Sequence, residues 1–265
     1  MPDPPSVRSD IAIRLRAAGC VFAEDEARLL LEAASTSAEL DALVTRRAAG
    51  VPLEHVLGWA AFCGLRLAVE PGVFVPRRRT EFLVHQAATL LGPGAIVVDM
   101  CCGSGAVGAA LIAGDLGVEL HAVDIDPAAV ACARRNVAAS GARVYEGDLY
   151  APLPTTLLGR VDLVVSNGPY VPTDELAFLP AEARLHEPVA ALDGGPDGLE
   201  IQRRVIAEAP RWLTPGGCLL VETSERQAPR TLDAFRRSGL EPRLARSEEL
   251  SATLALGRAV TATPG

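Results

Sequence analysis

Apolar residues follow two rhythms along this chain. From Ser6 to Gly50 they recur at helical spacing in three segments: Val7, Ile11 and Leu15; Ala27, Leu30, Leu31 and Ala34; Leu40, Leu43 and Val44. Gly19 and Gly50 read as helix stops, and Ser37, with Asp41 nearby, as a start. Over residues 51–76 the rhythm shortens. Phe62, Leu65, Leu67 and Val69 partly alternate with Cys63, Gly64, Arg66 and Ala68, and the turn signal Glu70-Pro71-Gly72 precedes Val73-Phe74-Val75-Pro76, which predicts a β-hairpin. A helix over Phe82 to Leu91 follows, with Thr80 as its cap.

From Gly94 onward strand-like runs alternate with helical patterns: 96–99 then 105–116, 120–124 then 127–140, 143–147, 161–167 then 199–213, 218–222 then 225–238, and finally 240–245 and 252–260. Alternation of this kind builds βαβ units and a mostly parallel sheet covered on both faces. Three parts are expected: a helical docking module over 1–60, a hairpin linker over 61–76, and an α/β domain over 77–265.

Composition narrows the functional classes. With 265 residues, 49% hydrophobic and 22% charged, the chain can bury a large core without staples. Net charge is −8 and no basic run exceeds Arg77-Arg78-Arg79, so free nucleic acid is disfavoured as a partner. The six cysteines show no paired C-x-x-C spacing and read as reduced thiols, with neither a disulfide framework nor a metal site. The Met1–Asp10 start carries no apolar signal region and no run is long enough to span a bilayer, which points to a cytoplasmic protein without membrane attachment; a monomer is expected.

The candidate chemistry sits where ligands bind in such sheets, beyond the carboxyl ends of the strands. Asp99, Asp124, Asp148, Asn167 and Glu222 all fall there. After the first of these strands, Asp99-Met100-Cys101-Cys102-Gly103-Ser104-Gly105-Ala106-Val107-Gly108 contains G-x-G-x-x-G, but an acid and two cysteines separate strand from glycines. Such a loop suits a cationic ligand in close backbone contact better than a diphosphate. S-adenosylmethionine fits: amino and sulfonium groups toward Asp99 and the loop, ribose hydroxyls on Asp124, adenine against Asp148 and Leu149. Asp126, just before Pro127, reads as a helix cap.

In Val164-Val165-Ser166-Asn167-Gly168-Pro169-Tyr170 a buried strand ends in a constrained polar turn. The Asn167 side-chain oxygen and the Gly168 carbonyl can accept both N–H protons of a planar amide or amino group, and the Tyr170 ring can cover its face. The alternative is a plain strand followed by a loop. Arg77, Arg78, Arg79 and Glu81 form either a solvated helix start or the mouth of the same site.

These motifs, with Val51-Pro52-Leu53-Glu54-His55-Val56-Leu57-Gly58, Val75-Pro76-Arg77, Ala122-Val123-Asp124 and Glu187-Pro188, resemble the HemK-type protein-(glutamine-N5) methyltransferases over almost the whole chain. The resemblance implies a class I S-adenosylmethionine-dependent methyltransferase fold and methylation of a glutamine side-chain amide in a protein, a peptide chain release factor being the implied partner. It further implies cofactor contact by Asp99, Cys101, Gly103, Gly105, Asp124, Asp148, Leu149 and Asn167. The acceptor turn would be Asn167, Gly168, Pro169 and Tyr170, with Arg77, Glu81 and Glu187 on the substrate side.

Three departures stand out. The family's Asn-Pro-Pro-Tyr is Asn-Gly-Pro-Tyr, its Pro-Arg-Pro-Asp-Thr-Glu is Pro-Arg-Arg-Arg-Thr-Glu, and its first loop glycine is Cys101. Gly168 keeps the accepting carbonyl without proline's fixed φ, so the turn is expected to be less preorganised. Three other readings stay open from the residues: N-methylation of another amide or amino acceptor (a small molecule or a nucleobase), a non-catalytic cofactor-binding relative, and a nicotinamide oxidoreductase.

Overall fold

The computed structural model describes residues 4–260; the first three residues, which open the Met1–Asp10 stretch discussed above, and the last five lie outside the described residues. Four helices come first: α1 (Pro4–Ala17), α2 (Ala23–Ala33), α3 (Ser37–Ala48) and the short α4 (Leu53–Leu57). Their apolar stripes meet in one cluster built on Ile11, Leu15, Ala27, Leu30, Val44 and Val56. The start of α3 is capped by Thr36, whose hydroxyl accepts the Glu39 N–H at 3.2 Å, so the cap lies one residue before the expected Ser37. Arg47 is buried between Glu26 (2.6 Å) and Glu182 (2.5 Å), which ties these helices to a short helix, residues 181–186, between the fourth and fifth parallel strands of the sheet.

The hairpin is shorter and earlier than its turn signals suggested. β1 (Trp59–Phe62) and β2 (Leu65–Ala68) pair around Cys63-Gly64, whereas Glu70-Pro71-Gly72 turns the chain into an extended segment outside any strand. The reason lies in what that segment meets. Val73, Val75 and Val69 are buried against Cys132, the Val73 carbonyl lies 2.9 Å from His55 Nε2, and the Val75 N–H donates to Glu187 (3.2 Å). Tertiary partners satisfy the backbone there, so no strand partner is required.

After a 3₁₀ turn at Arg78–Thr80, the α/β part runs α5 (Glu81–Ala88), β3 (Ile96–Met100), α6 (Ala106–Ala113), β4 (Glu119–Asp124), α7 (Pro127–Asn136), β5 (Arg143–Glu146), β6 (Val161–Ser166), α8 (Ala181–His186), α9 (Glu200–Trp212), β7 (Leu213–Thr223), α10 (Ala228–Arg237), β8 (Leu240–Ser247) and β9 (Ala252–Ala259). The strands form one sheet in the order β5-β4-β3-β6-β7-β9-β8, parallel except where β9 runs against β7 and β8. Neighbouring residues of a strand face opposite layers. Val97, Leu163, Val165 and Leu220 join α5 and α6 in one cluster, while Val98, Val164, Leu219 and Val221 join α9 and α10 in the other. Two-sided burial is why these strands read as continuous apolar runs.

The register brings the site together. Met100 lies opposite Val123 on β4 and opposite Ser166 on β6, and Ser166 lies opposite Val221 on β7. One residue further on, Asp124, Cys101, Asn167 and Glu222 stand in a row across four strand ends.

Candidate active site

A cleft opens over that row. Its floor is Asp99, Cys101, Gly103 and Asp124; Asp148, Leu149, Ile201 and Arg204 form one side, Asn167 and Pro169 another, and Phe74 and Pro76 the mouth. The loop after β3 turns sharply because Cys101 (φ 59°), Gly103 (φ 54°) and Gly105 (φ 74°) are all left-handed. Gly103 leaves open space where a side chain would stand. Gly105 serves packing: a Cβ there would sit 2.9 Å from the Ala133 Cβ on α7, and the residue does not line the cleft.

The acids hold this loop while facing the cleft. Asp124 accepts the Gly103 N–H at 2.8 Å through one oxygen and the Asp126 N–H at 2.9 Å through the other. Asp126 caps α7, its carboxylate accepting the Ala128 N–H at 2.8 Å. Asp99 is 2% exposed and accepts the Gly108 N–H at 2.9 Å. Burial pushes its carboxyl up to about 7, with the neighbouring Asp124 charge adding to the effect. Burial raises Asp124 as well, and holds the Cys101 thiol protonated. Among the described residues lining the cleft, Arg204 is the only cation, and it donates to Asp148 at 2.6 Å.

On the acceptor side, Asn167 Nδ2 donates to the Thr80 hydroxyl (3.1 Å), which donates to Glu222 (2.8 Å). Thr80 is therefore not the cap expected of it; no backbone N–H of α5 bonds its hydroxyl. Tyr170 lies behind the turn, outside the cleft wall. Its carbonyl accepts from Gln227 (2.8 Å), its hydroxyl donates to Glu222 (3.3 Å), and burial beside that carboxylate pushes its phenol up to about 12.

The three residues expected on the substrate side do not reach the cleft wall. Arg77 stacks on Phe74 (4.8 Å) and pairs with Glu187 at 2.5 Å, while Glu81 accepts the Cys63 N–H at 2.9 Å at the hairpin turn. Gly168 also lies just behind the wall, and its φ is not left-handed. A Cβ there would meet Cys101 Sγ at 3.3 Å, Ser166 Oγ at 3.5 Å and Ile201 Cγ2 at 3.6 Å. What a side chain at 168 would meet most tightly is the Cys101 thiol, and no left-handed φ requires glycine there. Thr80, Arg204 and Phe74 were given no site role by the sequence, because nothing local marks a helix-start hydroxyl, a helix arginine or a loop ring as site-forming.

Residues 64–195 match the Methyltransferase small domain family. Among solved structures, a methyltransferase from Pyrococcus furiosus shares the fold at TM-score 0.56 and 17% identity, covering 74% of this chain and 90% of that one. A T. thermophilus 16S rRNA N2 G1207 methyltransferase in complex with AdoMet and guanosine does so at 0.54 and 18%, covering 76% and 49%. At these identities the likeness establishes the architecture. Sequence relatives are nearer: the release factor glutamine methyltransferase of Geobacter sulfurreducens is 44% identical over 199 residues, 74% of this chain and 69% of that protein. The one from Mycolicibacterium smegmatis is 44% identical over 204 residues, 76% and 72%. With identity at that level across two thirds of the relatives' length and this sheet order, the chain belongs to the release factor glutamine methyltransferase family.

Proposed function

We propose that this protein transfers a methyl group from S-adenosylmethionine to the side-chain amide nitrogen of a glutamine in a peptide chain release factor. The observation that carries the acceptor is the orientation of Asn167. Its nitrogen is committed to Thr80, so its oxygen is the end available to accept an N–H from the substrate. An amide bound by its two N–H protons, at Asn167 Oδ1 and the Gly168 carbonyl, has its nitrogen held toward the cleft and its proton charge drawn off.

The residues present fit the methyl donor. A buried acid whose carboxyl is pushed up to about 7 gains from a cation beside it, Gly103 leaves space for close backbone approach, and Val107, Ile125 and Leu149 offer an apolar wall to a ring. Asp99, Gly103, Asp124, Asp148 and Leu149 would hold it. Bound there, S-adenosylmethionine supplies an electrophilic methyl group on a sulfonium centre. This chain's own contribution is positioning and electrostatics. Asp99 and Asp124 fix the cationic and hydroxyl-bearing parts, Asn167 and Gly168 fix the amide, and no residue of the cleft is assigned as a general base. Arg77, Glu81 and Glu187 brace the cleft mouth from outside its wall.

The helical module α1–α4 would dock the substrate protein, and we place the enzyme in the cytoplasm as a monomer. No helix among the described residues is long and apolar enough to cross a membrane. Incubation of purified release factor with isotopically labelled S-adenosylmethionine, followed by peptide mass spectrometry, should place the label on a glutamine. Label on a nucleobase or small amide, with none on the release factor, would overturn the substrate assignment.

A further inference from the structure

Glu222 is 2% exposed, stands outside the cleft wall, and has no part in the chemistry above. Few carboxylates are buried so deeply unless several donors meet them. Three do here: Thr80 Oγ1 at 2.8 Å on one oxygen, and Arg79 Nε at 3.0 Å and Tyr170 OH at 3.3 Å on the other. The backbone is fixed too, since Gln202 Nε2 donates to the Glu222 carbonyl at 2.8 Å. Two of the donors come from the segment before α5 and one from the turn after β6. One carboxylate on β7 therefore gathers two separate stretches of chain behind the acceptor turn.

The polarity of these bonds is transmitted. An ionised carboxylate only accepts, so the single Thr80 hydroxyl proton goes to Glu222. The Thr80 oxygen is left only to accept, and the end of Asn167 that can donate to it is the amide nitrogen. The Asn167 oxygen must then face the other way. The two ends of an asparagine amide are nearly the same shape, so without this constraint either end could face the acceptor. A flipped Asn167 would present N–H groups to the N–H groups of a substrate amide.

We propose that Glu222 is the positioning residue of the acceptor pocket: through the Thr80 hydroxyl it holds the Asn167 amide with its oxygen toward the methyl acceptor, and through the Tyr170 hydroxyl it fixes the ring behind the turn. The proposal rests on the amide-acceptor reading above. It assigns no proton transfer to Glu222, because the path from the acceptor nitrogen runs through the amide of Asn167.

Thr80→Val removes the hydroxyl while keeping the shape, Thr80→Ser keeps the hydroxyl, and Glu222→Gln replaces one accepting oxygen with a donor. With release factor as substrate, Thr80→Val and Glu222→Gln should lower kcat by about tenfold or more while KM and S-adenosylmethionine affinity stay within about threefold, the pattern of an interaction made in the transition state. Thr80→Ser should retain kcat within about threefold. A second readout needs no substrate: the Asn167 side-chain NH₂ signals, assigned by their loss in Asn167→Asp, should exchange with solvent slowly in the wild type and at least about tenfold faster in Thr80→Val. If Glu222→Gln does not fold, the two Thr80 variants decide. An Asn167 NH₂ that exchanges like an exposed asparagine in the wild type overturns the positioning chain even where the release factor is not methylated. So do unchanged kcat in Thr80→Val, equal loss in Thr80→Ser, or a loss confined to cofactor affinity. Failure of the wild type to methylate release factor, with slow Asn167 exchange intact, rejects the substrate reading and leaves the positioning chain supported.

Discussion

Replacing Gly168 by proline should lower activity in the wild-type background and restore it when Cys101 is glycine. The turn looks loosened if only its own residues are considered, and proline would then stabilise it by about 0.4–1 kcal/mol through the unfolded chain. The neighbour changes the sign. A Cβ at 168 would lie 3.3 Å from Cys101 Sγ, a tight contact before the rest of the ring is added, and 3.5 Å from Ser166 Oγ, an ordinary one. Overpacking of such a site costs about 1–3 kcal/mol, so Gly168→Pro alone should destabilise by a net of up to about 2.6 kcal/mol and displace the accepting carbonyl. Cys101→Gly removes the thiol and relieves a non-glycine residue at φ 59°. That relief is worth about 1 kcal/mol and is offset by the lost side-chain burial and the added chain freedom, again about 1 kcal/mol. The single Cys101 variant should therefore stay within about 1 kcal/mol of wild type. In the double variant the overlap is gone, and the two changes should couple by at least about 1 kcal/mol, roughly fivefold in kcat/KM. Urea melts and kcat/KM on release factor for the four proteins measure this. Additivity within about 0.5 kcal/mol, or a gain from Gly168→Pro alone, refutes the reasoning.

Asn167→Ala should leave S-adenosylmethionine affinity within about threefold and lower turnover by on the order of 10²-fold; calorimetry and single-turnover rates check the split. Asp124→Ala should weaken cofactor binding by about 1.5–3 kcal/mol, and a thermal melt separates that loss from loosening of the Gly103 loop. For Asp99 the folded carboxyl, pushed up mainly by burial from its ordinary 3.8 to about 7, keeps its proton where the unfolded chain has released it. Stability from this group is thus fully present below pH 3.8 and lost as pH rises through about 7, at no more than about 1.4 kcal/mol per unit. A cationic ligand favours the ionised form, so S-adenosylmethionine affinity should rise with pH up to about 7 and then level, a dependence that Asp99→Asn abolishes in calorimetric titrations.

Most of the α/β architecture was legible because two-sided burial makes each parallel strand a short apolar run, and because four of the five polar residues that end those runs face the cleft, Glu222 lying behind its wall. Asp99, Asp124, Asp148 and Asn167 were found that way. The hairpin was misplaced for the opposite reason: its turn, Cys63-Gly64, is a weaker local signal than Glu70-Pro71-Gly72, and what decides between them is distant contact with His55, Cys132 and Glu187. Thr80 follows the same rule. A hydroxyl just before a helix reads as a cap, and only the packing of β7 beside β6 reveals a carboxylate able to take its proton.

Register is the step that sequence leaves out and that turns a set of strand ends into a reaction site. A shift of one residue between β3 and β6 would turn every side chain of one strand to the opposite face, separating Cys101 from the Asn167-Gly168 turn. Apolar side chains on both faces resist it: Val97 and Val165 belong to one layer, Val98 and Val164 to the other. The row Asp124, Cys101, Asn167, Glu222 then orders the proposed function across the sheet, with the acids proposed to hold the cofactor on the β4 side and the residues proposed to hold the amide on the β7 side. Cys101 stands at the seam. Its thiol lines the cleft and lies 3.3 Å from where a Cβ at Gly168 would stand, so a change there bears on the loop after β3 and the turn after β6 together. A glycine at 101 would clear the tightest contact that a side chain at 168 meets, which is the exchange the Gly168→Pro and Cys101→Gly pair tests.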